Sequence, residues 1–223
     1  MKKFAILLCM ILFLSSNVFA EPGLQNIFTS LFEDKKPEYT ASEELTKKLE
    51  SQTVNILMIG SGGCSGTIIY EDDTNHYVLT AKHCIDLTEE MYVEHKRVSY
   101  IMTSANDDLA LLVIDGKIPN KTVAIIANWS LFIDDIVHHV SYPSEIIYKA
   151  SGKMVRNSDD WQWYDFKVIR GCSGGGIFNE DGELSAVVWG GFLSAKEKAP
   201  RKSVAEPLND IKAFLSLVLP EAL

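Results

Sequence analysis

Arg170-Gly-Cys-Ser-Gly-Gly-Gly-Ile177 is the stretch on which the reading of this chain turns. A serine hydroxyl is a poor nucleophile at neutral pH. One used as such needs a base to take its proton and amide donors to hold the oxyanion it creates. Glycines beside the serine let the backbone turn sharply, so that the N–H groups of Gly171 and Ser173 can converge on one point. A Gly-rich turn alone is a weak sign, since loops are full of glycine. Two upstream segments strengthen it. Leu79-Thr-Ala-Lys-His-Cys84 supplies a histidine, and Asn106-Asp-Asp-Leu-Ala-Leu-Leu-Val-Ile114 supplies an aspartate at the head of an apolar run. Base, orienting acid and nucleophile then follow in the chain order His, Asp, Ser.

Together the three segments resemble the signatures T-A-x-H-C, D-x-A-L-L and G-x-S-G-G of the chymotrypsin-like serine peptidases, over residues 54–217. The resemblance implies an all-β fold of two six-stranded antiparallel Greek-key barrels that needs no cofactor. It makes His83 the general base, Asp108 its orienting acid and Ser173 the nucleophile, with Gly171 and Ser173 N–H as the oxyanion hole. Val187-Val-Trp-Gly190 is similar to the strand lining the substrate cleft, so Val168, Val188, Trp189, Gly190 and Gly191 are the expected substrate-binding residues. A small or medium aliphatic side chain before the scissile bond is the expected preference. Cys64 and Cys84 stand where the family pairs a disulfide, leaving Cys172 unpaired. Val168-Ile-Arg-Gly-Cys-Ser-Gly-Gly175 and Ala205-Glu-Pro-Leu-Asn-Asp-Ile-Lys-Ala-Phe214 resemble bacterial HtrA-type protease domains, though without their PDZ domain.

The departures are as specific as the matches. Cys172 replaces the aspartate that, in trypsin relatives, binds a newly cleaved N-terminus, and no Ile-Val-Gly-Gly stretch supplies one. Val188 stands in place of a serine that holds the catalytic aspartate. Lys167, six residues before Ser173, stands where trypsin has its pocket-base aspartate, which argues against an Arg/Lys-cleaving pocket. Two alternatives stay open: a peptide-binding module that keeps the fold without the reaction, and a cysteine mechanism through Cys172.

The 223 residues, 47% of them hydrophobic, are enough for one two-barrel core. Lys2 and Lys3, the apolar run Phe4–Leu14 and the small-residue site ending at Ala20 read as a bacterial-style signal peptide, which implies a secreted or periplasmic protein. Losing it takes 21 basic against 30 acidic side chains to 19 against 30, a net charge of −11. Such a charge disfavours nucleic acid or an anionic membrane as partner and leaves a peptide or protein substrate. The expected organisation is signal 1–20, a helical extension 21–53 and a peptidase domain 54–218. Within that domain, barrel one covers about 54–127, barrel two about 128–206 and the closing helix about 207–218.

Thr40-Ala-Ser-Glu43 has capping-box spacing, with Leu45 and Leu49 one turn apart behind it. Short strands are expected at Val54–Ile59, Thr67–Tyr70, Tyr77–Thr80, Val98–Met102, Ala110–Ile114 and Thr122–Ile126. A second set is expected at Ile136–Val140, Glu145–Val155, Trp163–Phe166, Gly176–Phe178, Leu184–Gly190 and Ser203–Ala205. Asn209 is the expected N-cap of a closing helix to Leu217. No spacing suggests a metal site. His138-His139 lies on one strand, so the rings point to opposite faces and are expected to be surface or edge histidines.

Overall fold

The computed structural model describes residues 39–60, 62–85, 90–158, 161–192 and 202–223. The expected signal peptide and residues 21–38 of the expected extension lie outside the described residues. Helix α1 (Glu43–Gln52) is capped by Ser42, whose hydroxyl accepts the Leu45 N–H at 3.1 Å. The cap therefore falls two residues after Thr40.

Six strands follow: β1 (Thr53–Met58), β2 (Gly62–Glu71), β3 (Asn75–Ala81), β4 (Met91–Val93), β5 (Lys96–Thr103) and β6 (Leu109–Asp115). They close into an antiparallel barrel in the order β1-β2-β3-β6-β5-β4. The next six are β7 (Ile136–Ser141), β8 (Tyr148–Asn157), β9 (Gln162–Tyr164), β10 (Gly176–Phe178), β11 (Leu184–Phe192) and β12 (Lys202–Pro207). They close in the order β10-β11-β12-β9-β8-β7. Helix α2 (Leu208–Val218) follows β12, with Pro207 as its N-cap, and a single 3-10 turn (Pro220–Ala222) comes after it. Asn209 lies inside the helix and accepts from Ser130 Oγ at 3.4 Å instead of capping.

Three apolar clusters account for the patterning. One fills barrel one with Val54, Ile56, Val78, Leu112 and Ile114. A second fills barrel two with Val137, Tyr164, Phe166, Val168, Cys172 and Val188. The third lies on the seam and joins Leu49 of α1, Leu79, Leu109 and Leu111 of barrel one, Phe178 and Val187 of barrel two, and Phe214 of α2. Strand β6 faces two cores at once, which is why Leu109–Ile114 is apolar without interruption and not alternating.

Three further expectations are corrected. Thr122–Ile126 is not a strand: it runs along the seam, its Ala124 N–H bonded to Ile68 and its Ile125 carbonyl accepting from Leu184. The strand expected from Glu145 starts at Tyr148, because Ser144 and Glu145 have φ of 54° and 66°, outside the extended region. His138 and His139 do point to opposite faces of β7, but both are buried. His138 Nδ1 bonds Ser151 Oγ at 2.8 Å and its ring meets Tyr39 edge-on. His139 lies inside barrel two.

Candidate active site

Strands β3 and β6 are neighbours, with Ala81 paired to Leu109. That register places the turn after β3 (Lys82–Cys84) against the bend before β6, and so His83 against Asp108. Lys82 N–H donates to the Asp108 carbonyl at 3.0 Å. Asp108 Oδ1 accepts His83 N–H at 2.8 Å, and its Oδ2 lies 2.5 Å from His83 Nδ1. A carboxylate only accepts, so Nδ1 carries the ring proton and Nε2 presents a lone pair. The carboxylate side chain is 14% exposed and the imidazole 44%, which leaves Nε2 the accessible end.

Ser173 comes from the other barrel, on the turn before β10. Cys172 N–H donates to Ile169, Gly174 N–H to Val188 and Gly175 N–H to Cys172, at 2.8–3.0 Å. Among the described residues, the intervening N–H groups of Gly171 and Ser173 have no acceptor. The turn is strapped to barrel one: Ser65 N–H donates to the Ser173 carbonyl at 2.9 Å and Ser65 Oγ to the Gly171 carbonyl at 2.8 Å. Gly174, at φ 80°, fits directly against Thr80 and the Ser65 carbonyl, with no room for a Cβ. Cys64 and Cys84 form a disulfide, Cα–Cα 6.1 Å, joining β2 to the turn that carries His83.

A cleft of about 350 Å³ lies on this seam, lined by Met58, Gly63, Cys64, His83, Ile85, Arg170, Gly171 and Ser173. His83 and Ser173 thus share one cavity. The Ser173 hydroxyl donates to the Trp189 carbonyl at 3.3 Å. The Trp189 ring meets His83 edge-on at 6.3 Å between centroids and Trp161 at 5.2 Å, forming an aromatic wall beside the histidine. Of the expected substrate-binding residues, Val168 and Val188 are buried in the barrel-two core, whereas Trp189 is 39% exposed. Gly190 and Gly191 border open space.

Beneath the Ser173 turn, Cys172 is fully buried, and burial pushes its thiol up against the pull of its contacts with Ser141 and Ile169. His139 Nδ1 lies 2.9 Å from the Gly176 carbonyl, and its Nε2 lies 2.9 Å from Ser141 Oγ. Ser141 Oγ in turn is 3.2 Å from Cys172 Sγ. Because the carbonyl only accepts, His139 carries its proton on Nδ1, Ser141 gives its single proton to Nε2, and the thiol donates to Ser141. Burial lowers the His139 pKa to about 4, so the ring is neutral at pH 7.

One residue of the site was not foreseen. Glu206 of β12, 3% exposed, accepts the Asp108 N–H on Oε1 at 3.0 Å. Burial pushes its carboxyl up to about 7, against the pull of the Asp108 N–H, and the charges of Asp210, Asp108 and Asp107 push the same way as burial. The sequence signal for it was an acid inside the otherwise uncharged, buried run Ser203–Pro207.

No protein-family model matches the sequence, and no curated protein sequence does. Solved structures do. Rv3671c from M. tuberculosis H37Rv, as a serine-to-alanine mutant in an inactive form, is similar with a TM-score of 0.68 and 15% identity, over 82% of this chain and 94% of that one. Rv3671c protease in an inactive form gives 0.67 and 15%, over 82% and 98%. At that identity the likeness is one of fold, and it agrees with the strand order: this chain has the double-barrel fold of the chymotrypsin-like serine peptidases.

Proposed function

We propose that the protein is an exported serine endopeptidase acting through His83, Asp108 and Ser173. The observation that carries this is the seam cleft. A histidine held by a carboxylate in the Nε2-free tautomer lines it together with a serine whose turn keeps two N–H groups unbonded. Ser173 Oγ leaves the Trp189 carbonyl and attacks the scissile carbonyl carbon as His83 Nε2 takes its proton. Gly171 and Ser173 N–H hold the resulting oxyanion. Collapse breaks the C–N bond, the imidazolium gives its proton to the leaving amine, and water, activated by the same nitrogen, hydrolyses the acyl-enzyme. Asp108 Oδ2 keeps its bond to Nδ1 throughout and steadies the imidazolium.

Residues 189–191 of β11 lie beyond its pairing with β10, which supports binding of an extended peptide along that edge. The apolar Trp189 ring and the open glycines there support an aliphatic side chain before the scissile bond. The Cys64–Cys84 disulfide accords with export to an oxidising compartment, and no described helix is long and apolar enough to cross a membrane. The test is labelling of the protein lacking residues 1–20 with a fluorophosphonate probe, with the modified residue located by peptide mass spectrometry. Ser173 is the expected adduct. Adduct on Cys172 would favour the cysteine mechanism. Neither labelling nor hydrolysis of any peptide pool would favour a peptide-binding module with the serine hydroxyl resting on Trp189.

A further inference from the structure

We propose that Glu206 is a positioning residue of the triad, holding Asp108 from barrel two and coupling its own ionisation to that of His83. The inference rests on the serine-peptidase reading of the same site. Every polar group of Asp108 has a partner: both carboxylate oxygens go to His83, the carbonyl to Lys82 N–H and the amide to Glu206. Three of these four bonds come from barrel one. Among the described residues, the Glu206 bond is the one hydrogen bond that ties Asp108 to the barrel that carries Ser173. On the neighbouring strand, Val188 is fully buried and has no hydroxyl to offer Asp108, and the side chain that reaches Asp108 from this barrel comes from β12.

The groups around Glu206 make its charge matter. Asp107 and Asp108 face it from the bend before β6, Asp210 from α2 and Lys82 from the turn after β3, with Asn106 and Trp161 completing the cleft. Carboxylate oxygens of Asp107, Glu206 and Asp210 all lie within 4.8 Å of one another. The Lys82 ammonium donates to the Ser104 carbonyl at 2.6 Å and Asp107 accepts from the Ser104 hydroxyl, so these two are tied to one loop. A neutral Glu206 protonated on Oε2 still accepts the Asp108 N–H on Oε1. Ionised, it keeps the bond and adds a buried negative charge behind Asp108, which favours the imidazolium form of His83. That is the form His83 takes while Ser173 is attacking.

The test separates holding from charge. Glu206→Gln keeps an acceptor oxygen and removes the ionisation, whereas Glu206→Leu removes both. Histidine ring resonances are followed by NMR from pH 4 to 9 in the Ser173→Ala background, where no turnover is needed. With Glu206 the His83 titration is broadened by coupling, and in Glu206→Gln it becomes a single step about 0.5–1 pH unit lower. With Ser173 intact, Glu206→Gln lowers kcat at pH 8 by about three- to tenfold and flattens its rise between pH 6 and 8, at unchanged KM. Glu206→Leu lowers kcat by about a further tenfold. Identical His83 titrations with and without the Glu206 carboxyl would overturn the proposal, even if Glu206→Leu failed to fold. Because the NMR arm needs no catalysis, it stands or falls apart from the fluorophosphonate result that tests the serine mechanism.

Discussion

The buried His139 makes a quantitative statement about acid stability. Its folded pKa of about 4 lies below the 6.5 of an exposed imidazole. The native state therefore binds fewer protons than the unfolded chain in that window. The stability contributed by the neutral ring is complete above pH 6.5 and lost as pH falls from 6.5 toward 4, a loss of about 3 kcal/mol. Replacing His139 by leucine removes the titration, takes the ring partner from the Gly176 carbonyl, leaves the Ser141 hydroxyl only the weaker acceptor Cys172 Sγ, and loses the stacking on Phe166 at 5.5 Å. That costs about 3–4 kcal/mol at pH 7. Urea unfolding followed by tryptophan fluorescence should thus show wild type and His139→Leu far apart at pH 7 and within about 1 kcal/mol at pH 4. Glu206 acts oppositely: its raised pKa favours the fold at low pH, and that contribution is lost as pH rises through about 7. It is common to both proteins and cancels in the difference. A gap that stays constant from pH 7 to pH 4 would refute the reasoning.

Three further outcomes are expected. Ser173→Ala abolishes peptide turnover, by about 10⁴-fold or more, whereas Cys172→Ala loses only a few-fold, because the thiol donates within the neutral chain under the turn and touches no substrate; initial rates on one peptide decide both. Replacing Cys64 and Cys84 together by alanine opens a loop spanning 20 residues of separation and lowers unfolding stability by about 3 kcal/mol, read from the urea midpoint without reductant. Gly174→Ala drives a methyl into Thr80 and the Ser65 carbonyl at a φ that alanine resists, and lowers kcat by about 100-fold through misplacement of Ser173; a rate within threefold of wild type would contradict the close fit.

What the sequence conveyed well was local. The expected triad residues lie in short segments whose glycine, histidine and aspartate patterns survive on their own, and strands such as Ile136–Ser141 and Gly176–Phe178 stand out by their apolar content. What it conveyed poorly depends on two distant pieces meeting. Residues 123–126 alternate in burial as a strand would, but the alternation arises because the segment threads between barrels and bonds to each in turn. Strand β4 is three residues long, too short for any period to show. His139 sits on a strand with nothing local to say that its imidazole would be sealed between Ser141 and Gly176. Glu206 was hidden for a related reason: the partner that gives its carboxyl meaning is 98 residues away.

The seam also carries a consequence for how the protein can fail. His83 and Asp108 belong to one barrel and Ser173 to the other, and polar links through Ser65, Gly174 and Glu206 join them beside the apolar seam that Leu79, Leu111, Phe178 and Val187 share. Each barrel also has its own apolar filling, so a slip of a fraction of an ångström that shears the shared seam leaves both fillings nearly intact while separating the proposed base from the proposed nucleophile. In the proposed mechanism, catalysis is then a vernier on barrel alignment. Mild heat or denaturant should extinguish hydrolysis before circular dichroism records any loss of strand, and a ligand gripping both barrels should restore the rate without adding a single contact to the reacting atoms.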